Sequence, residues 1–78
     1  MSKLYAIKDN TIGFETVYCM PNNAAAIRNF GDVVRNEKSR YNAHPEDYDL
    51  YCVGEFDDNT GEIKPECTFL ERAKSFMA

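Results

Sequence analysis

Two blocks of the sequence carry side chains whose types and spacing suit chemistry. The first, HPEDYDLYCVGEFDDNTG (44–61), sets acids among aromatic rings and ends in Asn-Thr-Gly. Asp57, Asn59 and Gly61 imitate the opening of a calcium loop. The glycine falls one place early, however, and Thr68 stands where such a loop needs a bidentate glutamate. A hairpin turn accounts for these residues better. Paired carboxylates, Asp47 with Asp49 or Glu55 with Asp57, suit acid–base catalysis only when buried with separated pKa values. At the alternating period of a strand these acids share one face, which fits a partly solvated strand or a blunted sheet edge. Ser2, Ser39 and Ser75 have no nucleophile-elbow context, and no glycine-rich phosphate loop occurs. The sequence reads as non-enzymatic.

The second block, RNEKSRY (35–41), interleaves Arg35, Lys38 and Arg40 with Tyr41. Cations that track phosphates beside a ring that accepts a base are the parts of a single-stranded nucleic-acid groove. The same residues suit a solvated helix end, where cations complement the helix dipole. On residue types alone that plainer account is preferred. Cys19, Cys52 and Cys67 form an odd set without CxxC spacing, and read as reduced, mostly buried thiols of a cytosolic protein. His44 is the sole histidine, and its spacing to the cysteines matches no zinc finger, so neither metal nor cofactor is expected.

The elements that must position these groups follow from periodicity. KLYAIKD (3–9) reads as a strand with Leu4 and Ala6 on one face and Tyr5 and Ile7 on the other. A turn at 10–13 leads into a second strand, FETVYCM (14–20), with Phe14, Thr16, Tyr18 and Met20 sharing a side. An asparagine then caps a helix over 24–36, whose apolar stripe is Ile27, Phe30 and Val34 with Ala26 and Val33 beside it. Arg28 and Asp32 are placed for an ion pair on its polar side. Gly31 weakens the helix and points to a close approach, here expected from the sheet. Residues 36–47 read as a loop with one helical turn opening at Pro45. YDLYCVGEF (48–56) is a strand with Tyr48, Leu50, Cys52 and Phe56 on one face and Asp49, Tyr51, Val53 and Glu55 on the other. After a turn with Gly61 in a left-handed position, residues 62–64 return as a short strand stopped by Pro65.

The expected fold is a single α+β domain over 1–78. A small antiparallel sheet in β-β-α-β-β order carries one helix packed on a face. The core spans 3–65, and residues 66–78 form a tail or a short helix over 68–77. Two strands carry large apolar groups on both faces, yet one helix covers one face. Either the C-terminal segment covers the second face or that face meets a partner, the first expectation being a second subunit in a homodimer. The sharper alternative stacks nucleic-acid bases there on Tyr5, Tyr18 or Tyr51.

The formal net charge of −4 is unevenly spread. Residues 1–45 hold six basic and four acidic groups, whereas 46–66 hold one basic and eight acidic. Phosphate contact depends on Lys and Arg, so any nucleic-acid surface belongs to the first half. No run approaches the roughly 18 apolar residues of a membrane span, and the N-terminus lacks a signal-peptide core. A soluble cytoplasmic protein is expected.

The opening KLYAIKD, the AAAIRNF helix and above all HPEDYDLYCVGEFDDNTGEI resemble the small nonstructural protein of microviruses, the tailless single-stranded DNA phages, most of all their gokushovirus branch. The likeness covers residues 3–64. It implies a non-virion protein made in the infected bacterium, acting in DNA replication and packaging through DNA binding and favouring single-stranded genome synthesis into the procapsid; single-stranded DNA is the expected ligand. It carries no site residues, so Arg35, Lys38, Arg40, Tyr41, Tyr5, Tyr18 and Tyr51 are nominated from the residues themselves. The alternative is a protein-interaction regulator of the replication initiator or procapsid that makes no DNA contact. A third possibility is a host-directed inhibitor whose acidic segment mimics nucleic-acid charge.

Overall fold

A computed structural model of the chain describes residues 2–77. The elements are β1 (Ser2–Asp9), β2 (Gly13–Phe14), β3 (Tyr18–Met20), α1 (Asn23–Arg35), α2 (Arg40–Ala43), β4 (Tyr48–Phe56) and β5 (Ile63–Arg72). Single turns of 3-10 helix follow at Pro45–Asp47 and Ala73–Phe76. All pairings are antiparallel, in the order β2-β1-β4-β5, with β3 on the same edge of β1 as β2. The expected α+β class holds, with α1 packed across one face.

The expected second strand is two strands. Phe14 pairs with Lys8 in β2, but Tyr18 pairs with Tyr5 in β3, a slip of one residue in register. Because side chains alternate between faces, a one-residue slip transfers the following residues to the opposite side. Tyr18 therefore lies with Tyr5 on the helix face, while Phe14 lies with Lys8 on the other, and the expectation that Phe14 and Tyr18 share a side is corrected. A similar irregularity falls between β1 and β4 after Leu4. It sets Glu55 opposite Lys3, where the two make an ion pair at 3.6 Å.

Helix α1 begins at Asn22, whose side chain accepts a hydrogen bond from the Ala25 amide at 2.9 Å. That cap satisfies one of the amides a helix leaves unpaired at its start. Ala26, Phe30 and Val34 are fully buried against Tyr5, Leu50 and Cys52. Burying a large apolar side chain such as Phe30 or Leu50 contributes about 1.5–3 kcal/mol, so this contact dominates the fold. Asp32 pairs with Arg35 at 3.5 Å in place of the expected Arg28.

The C-terminal segment departs most from expectation. Instead of stopping at Pro65, β5 runs on to Arg72, with Pro65 set opposite Gly54 beside a register shift. Proline is tolerated because β5 is an edge strand with one unpaired side. The 68–77 helix reduces to the turn Ala73–Phe76, which folds back onto α1. The Phe76 ring meets Phe30 edge to face at 5.8 Å. A Cβ on Gly31 would sit 2.8 Å from that ring, so the close approach comes from Phe76, not from the sheet. Gly61 does take a left-handed conformation (φ 77°) in the β4–β5 turn. No described element covers the sheet face opposite α1.

Candidate nucleic-acid interface

The residues nominated from sequence divide between the two sheet faces. Tyr5 is fully buried; its hydroxyl donates to Asn23 Oδ1 at 2.7 Å, and burial pushes its pKa up to about 12. A ring without an exposed face offers a base nothing to stack on, which removes Tyr5 from the set. Tyr18 packs on the same core, its hydroxyl buried without a hydrogen-bond partner among the described residues. Tyr41 also leans on the core, edge to face with Tyr48 at 4.7 Å.

Tyr18, Arg40 and Tyr41 converge on a cavity of about 330 Å³ bounded by α1, α2 and β3. Glu15 stands there too, and accepts hydrogen bonds from both the Arg40 guanidinium and the Tyr41 hydroxyl. Burial, followed by the Glu15 bond, pushes Tyr41 up to about 12. The Arg40 charge is thus already answered by a carboxylate that would oppose a phosphate. Arg35 lies against Asp32 and over the Phe76 ring, 5.3 Å from its centroid. Lys38 is exposed. The block is largely exposed, with Arg35 and Arg40 each beside a carboxylate of the fold.

Tyr51 is different, because it lies on the uncovered face. There it meets Phe14 at 5.3 Å and Phe69 at 5.8 Å, both edge to face. Phe14 and Phe69 are 49% and 48% exposed, so both residues remain about half open to solvent. The row runs from β2 over β1 and β4 to β5. On β1 it passes Lys8, the cross-strand partner of Phe14, and Ala6, the partner of Tyr51 and 1% exposed. The Lys8 ammonium stands 5.7 Å from the Phe14 centroid and 5.9 Å from that of Tyr51. Lys8, Asp49 and Arg72 are successive cross-strand partners beside the aromatic row. Glu46 and Lys74 border the same depression as Asp49 and Arg72, so with Lys8 the area holds three cations and two acids on a chain whose net charge is negative.

Phe14 escaped the sequence reading because the β2–β3 slip is invisible to periodicity. Phe69 falls in the segment that reads as a tail or a short helix, which the long β5 replaces. Lys8 was within reach, since alternation already places it with Leu4 and Ala6. Among the described residues no group of three His, Cys, Asp or Glu is placed to hold a metal. Cys19 and Cys67 are exposed and Cys52 alone is buried, which corrects the expectation of mostly buried thiols. No described helix is long and apolar enough to cross a membrane.

A single antiparallel sheet with a helix on one face and a row of rings on the other defines a small two-layer α+β protein with an open sheet face. The chain belongs to the phage ORF5 protein family, whose family model matches residues 2–76. No curated protein and no solved structure matches the chain.

Proposed function

We propose that this phage protein is a non-enzymatic, nonstructural protein of the microvirus type that binds single-stranded DNA on its open sheet face. It would act in genome replication and packaging, in the cytoplasm of the infected bacterium and outside the virion. The observation that carries this reading is the Phe14–Tyr51–Phe69 row with Lys8 at its side. Exposed rings accept bases of any identity through their π-faces, and nearby cations answer the phosphates. Resemblance of the 44–63 segment to microvirus proteins supports the biological setting.

The reading is tested by fluorescence anisotropy with single- and double-stranded oligonucleotides at two salt concentrations. Preferential binding of the single strand, weakened by salt, is expected. A stable homodimer that binds no DNA would instead assign the open face to a second copy. The second reading is a protein-interaction regulator, favoured by the acidic β4–β5 turn, where Asp58 and Glu62 are exposed. Under it, a basic phage replication or procapsid protein binds the turn. Reversing the charges of Asp57, Asp58 and Glu62 would then abolish that complex.

A further inference from the structure

Resting on the single-strand reading, we infer that the open face takes a splayed segment of about three nucleotides. One outer base stacks on Phe14 and the other on Phe69. Tyr51 stands between them as a partition, and Lys8 and Arg72 answer two phosphates.

The ring geometry carries this. Tyr51 is inclined at 78° to Phe14 and 81° to Phe69, so neither phenylalanine stacks face to face with its neighbour. Bases lying on the two phenylalanines are held apart by the intervening tyrosine and cannot stack on each other. A duplex keeps its bases paired and stacked, whereas a single strand can turn them outward.

The length follows from the sheet. Phe14 belongs to β2 at one edge and Phe69 to β5 at the other, so the row ends where the sheet ends. The direction of the backbone follows from charge. Lys8, Asp49 and Arg72 form the cross-strand ladder that Phe14 joins as the partner of Lys8, next to the Ala6–Tyr51–Phe69 ladder, and Asp49 accepts a hydrogen bond from the Asn10 side-chain amide at 3.1 Å. On the other side of the Tyr51 ladder lie Leu4 and Cys19, and beyond them the acidic β4–β5 turn. Phosphates are therefore drawn to the Lys8 side.

The test is competition by unlabelled oligothymidylates of increasing length against a labelled longer strand. Affinity per binding register is expected to rise up to about three nucleotides and then level off. With two phosphates answered, the slope of log K against log salt is expected near −1.4, at about −0.7 per phosphate on a single strand. Lys8→Ala is expected to bring it to about −0.7. Affinity that keeps rising well past three nucleotides, or a slope unchanged by Lys8→Ala, overturns the short splayed site and leaves single-strand binding standing. No binding at any length overturns both.

Discussion

Phe14 of β2 and Tyr51 of β4 meet edge to face at 5.3 Å across a strand to which neither belongs. The intervening strand β1 places Lys8 opposite Phe14 and Ala6, a small side chain only 1% exposed, opposite Tyr51. A larger side chain in place of Ala6 must displace the Tyr51 ring. Ala6→Leu is expected to weaken single-strand binding about tenfold while the helix-side core stays intact, since each base–ring stack is worth about 1–3 kcal/mol. Titration of the variant beside its circular dichroism spectrum checks both halves of this expectation.

Tyr5 is a structural residue. Tyr5→Phe deletes its hydrogen bond to Asn23 and is expected to cost about 1 kcal/mol in denaturant unfolding. Single-strand affinity should not change. An affinity loss in folded Tyr5→Phe protein would return this ring to the binding set.

Gly31 sets helix propensity against packing. Alanine there gains about 1 kcal/mol of helix preference, but its methyl group meets the Phe76 ring at 2.8 Å. Overpacking costs about 1–3 kcal/mol, so Gly31→Ala should destabilise by about 1 kcal/mol. In a Phe76→Ala background the same change should become stabilising. A double-mutant cycle by urea unfolding measures this reversal of sign.

Tyr5 and Tyr41 predict alkaline sensitivity. Burial raises both from the ordinary value of 10.0 to about 12. Above pH 10 the unfolded chain releases these protons while the folded chain keeps them, so stability falls as pH rises toward 12. Below pH 10 both states are protonated and the groups add no pH dependence. Unfolding midpoints between pH 8 and about 11.5 should stay flat and then drop. Tyr5→Phe should lessen the drop.

How much of this was legible in the sequence depends on how local each cause was. Alternation in β1, the Asn22 cap, the Phe30–Val34 stripe and the Gly61 turn all act within a few residues, and each is where periodicity puts it. The slip between Phe14 and Tyr18 is set by pairing with β1, which no local pattern encodes. Pro65 carried a stop signal that an edge strand does not obey. Residues 68–72 pair with β4 against a helix-like spacing, so tertiary pairing decides their state. These misplacements hid two of the three rings on the open face. The aromatic nominee that lies on the open face, Tyr51, sits on β4, the strand whose pattern was clearest.

The most direct measurement compares two triple variants for binding of labelled oligothymidylate at low salt. One replaces Phe14, Tyr51 and Phe69 by alanine; the other replaces Arg35, Lys38 and Arg40. The aromatic variant is expected to lose binding by more than about a hundredfold, and the basic variant to stay within about threefold of the unaltered protein. Full binding by a folded aromatic variant, or its loss in the basic one, would contradict the open face as the DNA site.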